Sequence, residues 1–243
     1  MDYYRQITKS VDATSWMRII NEPGNPEVYL GARLDSGSFI VDGRVSGNDI
    51  QSTILNAAND TLADPLLDDY AIFYGGQGAD TLTGGISSEM LLGGANNDIL
   101  RGNGSADRLY GDTGTDTLYG GTGKDILTGG PGVDKFVFDT VASATNIDTI
   151  TDFLSGTDKI LLDDDIFTML GITGTLAGVA LTADKFHSGT SALDTLDRIV
   201  YNSSTGALYY DANGSVSGQN VQIALIGTST HPMLAASDFL IIA

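Results

Sequence analysis

The sequence predicts an all-β fold, a solenoid of very short strands joined by glycine turns. Three observations predict it. From Gly75 the chain reads in nines: GGQGADTLT, GGISSEMLL, GGANNDILR, GNGSADRLY, GDTGTDTLY, GGTGKDILT, GGPGVDKFV. Each unit opens on glycine, carries an acid at its sixth position and a large apolar residue at its eighth. Glycine overall is 31 of 243 residues, about double the usual ~7%, without the three-residue period of collagen.

Each fixed position has a physical reading. The opening glycines are Gly75, Gly84, Gly93, Gly102, Gly111, Gly120 and Gly129. They are expected to supply φ > 0 for a tight, exposed turn. The last three residues of a unit alternate, so they suit one short strand with the eighth side chain pointing inward. Nine residues are too few to close a coil. Two units give turn, strand, turn, strand, and the next pair stacks on top. Leu82, Leu100, Leu118 and Phe136 then form one column, and Leu91, Leu109 and Leu127 the facing one. Burying each leucine contributes about 1.5–3 kcal/mol. Ordering each residue's backbone costs about 1–2 kcal/mol. So thin a core should not fold on apolar burial alone.

The acids sharpen the difficulty and indicate its remedy. Stacking puts Asp80, Asp98, Asp116 and Asp134 in one line, and Glu89, Asp107 and Asp125 in another. Carboxylates along such a line repel unless cations sit between them. Carboxylates with turn carbonyls make an all-oxygen cage. Ca²⁺, with 6–8 oxygens in flexible geometry, suits it better than Mg²⁺, which demands a strict octahedron. Binding free energy then becomes folding free energy. The competing reading is a metal-free glycine and aspartate solenoid, in which seven acids in register have no purpose.

Composition agrees. Lys plus Arg is 12 and Asp plus Glu 31, a formal net charge of −19. That argues against nucleic acid and against an anionic membrane surface, and suits metal cations. A hydrophobic content of 42% excludes a wholly disordered chain. Cysteine is absent and histidine is 2, which removes thiolate chemistry and most imidazole-rich metal sites. No basic region followed by an apolar run opens the chain, and no stretch approaches the ~18–20 apolar residues of a membrane span.

The nonapeptide block resembles the RTX (repeats-in-toxin) calcium-binding family. The resemblance implies a parallel β-roll with Ca²⁺ held between turns two units apart. One turn would give the carbonyls of its second and fourth residues and its acid. The turn eighteen residues on would give those of its first and third and its own acid. On one edge, Gly76, Gly78 and Asp80 would share an ion with Gly93, Ala95 and Asp98. Gly94, Asn96 and Asp98 would share one with Gly111, Thr113 and Asp116, and Asp112, Gly114 and Asp116 one with Gly129, Pro131 and Asp134. On the other edge, Gly85, Ser87 and Glu89 would pair with Gly102, Gly104 and Asp107. Asn103, Ser105 and Asp107 would pair with Gly120, Thr122 and Asp125. That is about five ions. GGISSEMLL departs most, with Ser87 in place of glycine and Glu89 in place of aspartate. Asn96 tolerates the left-handed region; Ser105 is less comfortable there.

Residues 1–74 are less regular and are expected to form an N-terminal β cap or a small module. VSGNDI and NAANDTL, with Asp49 and Asp60, look like degenerate repeat turns, and Trp16 suits a core or cap. Residues 75–138 are the roll. Residues 139–243 are expected to close it. There TNIDTITDFLSGTDKILL resembles the segment after the roll in serralysin-type proteases, through Asp148, Ile150, Asp152, Phe153, Gly156, Asp158, Lys159, Ile160 and Leu162. Asp152, eighteen residues after Asp134, is a candidate for a last site. RIVYNSSTGALYYDANG reads as a hairpin from Ile199–Tyr201 through Thr205–Gly206 to Leu208–Tyr210, with Val221–Ile226 another strand. Asp211, Asn213 and Gly214 suit a plain turn, since no glutamate follows at EF-hand distance. The ending SDFLIIA alone is an ordinary strand. Beside such repeats it resembles the uncleaved C-terminal signal of type I secretion, which implies export to the extracellular space of a bacterium with the secretion apparatus as partner.

No catalytic motif accompanies these features. HExxH, GxSxG and P-loop patterns are absent, and His187 and His231 stand far apart. The leading expectation is an exported, calcium-folded binding protein without chemistry of its own. The alternative is the calcium-binding and secretion portion of a larger extracellular protease, lipase or alginate-epimerase-type enzyme. A pore-former is disfavoured by the lack of a long apolar or amphipathic segment.

Overall fold

The computed structural model describes residues 71–214 and 220–243, and before them the strands Met17–Ile19, Val28–Asp35, Ser38–Arg44, Gln51–Ile54 and Thr61–Ala63. The repeat strands sort alternately into two sheets. Ala71–Gln77, Met90–Ala95, Arg108–Thr113 and Ile126–Thr128 lie side by side in the first. Thr81–Thr83, Ile99–Gly104, Thr117–Thr122 and Lys135–Phe138 lie in the second. All these pairings are parallel, because the chain re-enters each sheet in the same direction after a full coil.

The register is the eighteen-residue one. Leu82 pairs with Leu100, Leu100 with Leu118, and Leu118 with Phe136. Leu91 pairs with Leu109, and Leu109 with Leu127. All seven are fully buried, so the two predicted columns form the core. Several strands run six residues instead of three, continuing into the next unit's opening glycines. The extra length comes from turn residues that pair with the turn one coil away, as Gly76 with Gly94 and Asp112 with Gly94.

The opening glycines do not serve as expected. None of them has positive φ; the left-handed positions are the second and fourth of a unit. Gly76, Gly94, Asn103, Asp112, Gly121 and Gly130 are second residues, and Gly78, Asn96, Ser105 and Gly123 are fourth residues. The opening position is glycine because it is crowded. A Cβ on Gly84 would sit 2.6 Å from Glu89 Oε2 and 2.8 Å from Gly102 O.

Both sheets run past the repeats. In front, Gln51–Ile54 pairs in parallel with Ala71–Gln77, and Thr61–Ala63 with Thr81–Thr83. Met17–Ile19, Val28–Asp35 and Ser38–Arg44 form a separate antiparallel sheet. Asp49, Asp60 and Trp16 lie outside the described residues. Behind, Asp148–Ile150 and then Asn220–Ile226 extend the first sheet, while Lys159–Asp163 and then Phe239–Ile242 extend the second. The columns continue as Leu127, Ile150, Ile226 and as Phe136, Ile160, Phe239, each fully buried.

Between these coils the chain makes a β-hairpin. Ile199–Asn202 pairs antiparallel with Ala207–Asp211, which pairs antiparallel with Asn220–Ile226 through an irregularity at Leu208/Tyr209. Tyr210 meets Phe167 edge-on, ring centroids 5.0 Å apart. The Asp211 carboxylate accepts the N–H groups of Asn213 and Gly214 at 3.1 and 2.8 Å, a plain turn. Among the described residues no helix is long and apolar enough to cross a membrane.

Candidate metal centre

The turns between the two sheets stack along two edges. One edge carries Asp80, Asp98, Asp116 and Asp134; the other carries Glu89, Asp107 and Asp125. Five of these acids reach back one coil. Asp98 Oδ1 accepts the Asp80 N–H at 2.8 Å, Asp116 Oδ1 that of Asp98 at 2.8 Å, and Asp134 Oδ1 that of Asp116 at 3.0 Å. On the other edge Asp107 Oδ1 accepts from Glu89 N at 2.7 Å and Asp125 Oδ1 from Asp107 N at 2.8 Å. The side chains are therefore aligned, not splayed apart.

The second oxygen of each carboxylate tells more. Oδ2 of Asp98, Asp107, Asp116, Asp125 and Asp134, and Oε1 of Glu89, are buried and have no hydrogen-bond partner. An orphaned buried acceptor costs about 1–3 kcal/mol, and more when charged. Six in two columns is far beyond what a fold sustains without a counter-charge. In the ion-free chain burial pushes these carboxyls up: Asp98 to about 7, Asp107 to about 8, Asp116 and Asp134 to about 6. Glu89 and Asp125 are raised by burial too. Neighbouring ladder acids add to the rise, such as Asp116 and Asp80 around Asp98, while the N–H bonds one coil back offset part of it.

The orphaned oxygens face carbonyls. A Cβ on Gly102 would contact Asp107 Oδ2 and lie 2.6 Å from Gly120 O; one on Gly111 would contact Asp116 Oδ2 and lie 2.6 Å from Gly129 O. Gly93 O and Gly111 O stand likewise against Gly75 and Gly93. So the first-residue carbonyl of one turn approaches the acid of the turn before. Second- and fourth-residue carbonyls point at the following turn. Those of Gly76, Asn96, Asn103, Ser105, Asp112 and Gly114 contact the Cβ positions of Gly94, Gly114, Gly121, Gly123, Gly130 and Gly132. Third-residue carbonyls carry backbone bonds: Ala95 O accepts Gly78 N–H at 3.2 Å, Thr113 O that of Asn96 at 2.8 Å, Pro131 O that of Gly114 at 3.2 Å. The donor set is hard oxygen throughout, and it fits Ca²⁺. No cluster of three or more His, Asp or Glu gathers among the described residues, so carbonyls must supply most of each shell.

The GGISSEMLL turn differs as its sequence suggests. Gly85 lacks positive φ, and Glu89, one methylene longer, folds back to accept Gly85 N–H at 3.1 Å through Oε2. Gly85 O accepts Gly104 N–H at 3.2 Å. Ser87 is half-buried.

The ladders end on residues the repeat pattern does not reach. Asp158, not Asp152, receives the Asp134 N–H, at 3.0 Å, and its other oxygen accepts Leu154 N–H at 2.7 Å. Asp152 instead accepts the N–H groups of Gly129 and Gly130 at 3.0 and 2.8 Å. On the second edge Asp148 receives the Asp125 N–H at 3.1 Å, Asn146 Oδ1 takes Gly123 N–H at 2.6 Å, and the Thr140 hydroxyl donates to Gly121 O at 2.9 Å. Protein groups thus occupy at each end what lies open inside the ladder. The signal in sequence is the pair acid, any residue, apolar residue: Asp148 with Ile150 and Asp158 with Ile160 repeat the sixth and eighth positions without a glycine opening.

Residues 72–100, 83–118 and 101–136 match the RTX calcium-binding nonapeptide repeat (4 copies) family. Among solved structures the chain is similar to the solution structure of the AlgE6R2 subunit from the Azotobacter vinelandii mannuronan C5-epimerase. That likeness is at 23% identity and TM-score 0.31, covering 80% of this chain and 92% of that one. No curated protein matches.

Proposed function

We propose, from the premise that residues 72–136 are RTX calcium-binding repeats, that this chain leaves a bacterial cell unfolded by type I secretion and folds on extracellular Ca²⁺. In this reading it binds about five ions through the ligand sets given above and performs no chemistry of its own. Residues 75–138 are the ion-binding body, 1–74 cap its front, and 139–243 close it and carry the export signal. The observation that carries the reading is the double column of buried carboxylate oxygens without partners. At low cytosolic calcium those charges oppose folding, so the chain stays threadable. Sites of about 10⁻⁴–10⁻³ M, typical of extracellular modules, fill outside.

The reading without chemistry accords with two titratable groups that share a cleft and are engaged in backbone bonds. A cleft of about 340 Å³ holds both Asp152 and His231. Asp152 accepts two backbone N–H groups, and His231 Nδ1 is bonded to Ile226 O at 2.9 Å.

Circular dichroism and calorimetry across a calcium titration test the folding half. The expected result is a disordered ion-free repeat and a cooperative gain of β structure in calcium, with far less in magnesium. An ion-free chain already fully folded at neutral pH refutes it. Deleting residues 238–243 should abolish export, but it also removes a core strand. Phe239 and Ile241 are fully buried, and Asp238 accepts from Ser155 Oγ, Gly156 N and Ala235 N. The cleaner export test appends residues 184–243 to a passenger beside a type I exporter; a passenger retained in the cell counts against the signal.

A further inference from the structure

We infer that the two edges of the roll bind calcium unequally, and that Asp112 makes its own edge the tighter; this rests on the calcium reading above. The second residues of the turns on that edge are Gly76, Gly94, Asp112 and Gly130, so Asp112 adds a carboxylate where its stack neighbours have no side chain. It holds φ +68, a conformation that side chains rarely adopt. It pairs across the stack with Gly94, so its carboxylate belongs to the two adjacent turns that carry Asp98 and Asp116, whose Oδ2 atoms are buried and unpartnered. The four turns of this edge hold five acids and no cation. The three turns of the other hold Glu89, Asp107 and Asp125 and, in the fifth position of the last, the exposed cation Lys124.

Side-chain bonds to the carbonyls do not separate the edges: of the carbonyls in the ligand sets above, Asn103 O on the second edge accepts the Thr122 hydroxyl at 3.3 Å and Ala95 O on the first accepts Asn96 Nδ2–H at 2.7 Å. The difference between the edges is one of charge, and a divalent ion beside Lys124 is opposed.

A unit charge a few ångströms from a divalent ion, across partly screened water, changes affinity by about three- to tenfold. The test is isothermal titration of the full, chelator-stripped chain with CaCl₂ at low ionic strength, for wild type, D112N and K124Q. Asparagine is accommodated at this position, since Asn103 holds φ +74 as the second residue of its own turn. D112N should weaken the tighter phase about three- to tenfold and leave the weaker one in place. K124Q should tighten only the weaker phase, and added salt should shrink both differences. D112N superimposed on a wild type that binds calcium, or acting on the weaker phase, overturns the inequality alone. A wild type that takes up no calcium overturns the calcium reading and this inference with it. Should D112N fail to fold at saturating calcium, K124Q decides: an unchanged weaker phase overturns the inference.

Discussion

Replacing Asp116 by asparagine should change the ion-free and the calcium-loaded chain in opposite directions. Asparagine keeps an oxygen to accept the Asp98 N–H, now at 2.8 Å, and places an amide where Oδ2 has no partner. In the ion-free fold, burial raises the Asp116 carboxyl from 3.8 to about 6. At pH 7.5, above both values, that amounts to about 3 kcal/mol against the ionised side chain. Removing the charge relieves up to that amount, about a hundredfold in the folded fraction. With calcium present the same change removes a ligand from two adjacent ions, since Asp116 belongs to the turn pairs on both its sides. The calcium midpoint should rise at least tenfold. The assay is circular dichroism of calcium-stripped wild type and D116N, folded with trimethylamine N-oxide, which strengthens burial without supplying an ion. A calcium titration of both runs in parallel. D116N should need less osmolyte and more calcium. If it needs more of both, Asp116 is only a hydrogen-bond acceptor, and the ion-bridged ladder is refuted.

Other predictions concern the glycines, the protons, the ends and the core. Gly111→Ala needs no forbidden φ, yet its Cβ would lie 2.6 Å from Gly129 O. It should cost about 1–3 kcal/mol by crowding. Thermal melts in calcium check it against Gly156→Ala, where φ is +82 but nothing lies within 4 Å and the cost is about 1–2 kcal/mol of backbone strain alone. Calcium-stripped protein should be more structured at pH 5 than at pH 8. The raised carboxyls of Asp98, Asp107, Asp116 and Asp134 make the folded state bind more protons than the unfolded one between about pH 4 and 8, so stability falls as pH climbs through that window. Flat ellipticity over that range counts against it. Asp158→Ala should strand the Asp134 and Leu154 N–H groups. Its loss, about 1–3 kcal/mol per group, should be undiminished by saturating calcium in urea melts. Leu118→Ala, at a fully buried site, should cost about 2–5 kcal/mol in the same melts.

The repeats were legible because each fixed position answers to one dominant force. The apolar eighth residue reports burial, and the columns from Leu82 to Phe136 and from Leu91 to Leu127 follow from the period alone. The acid reports the stack for the same reason. The opening glycine is ambiguous in sequence because two causes select glycine, positive φ and lack of room, and a sequence does not separate them. Asn103 and Asp112 show the difference. They fill left-handed second positions without being glycine, whereas the crowded first position is glycine in all seven units. The ends were harder. Asp152 keeps the eighteen-residue spacing from Asp134 yet Asp158 takes the ladder place, because the closing coil is longer by six residues than a repeat pair. Ile226 and Phe239 enter their columns only after an insertion that no period spans.

Those ends bear on how calcium and the core cooperate. An acid inside a ladder joins its own turn to the one before through Oδ1, and offers Oδ2 to an ion that the next turn's carbonyls help to hold. Filling one site therefore fixes a turn that belongs to its neighbour's site, so binding should spread along an edge. It needs a fixed turn to start from. Asp158, with both oxygens bonded to N–H groups, and the Thr140 and Asn146 bonds on the other edge supply such turns without an ion. They rest on the continuous column of Phe136, Ile160 and Phe239. The order of events follows: the closing coil forms by apolar burial and hydrogen bonds, and the ladder fills away from it, toward Asp80 and Glu89. The Glu89 turn, farthest out on its edge and already bonded to itself, should be the last to order there.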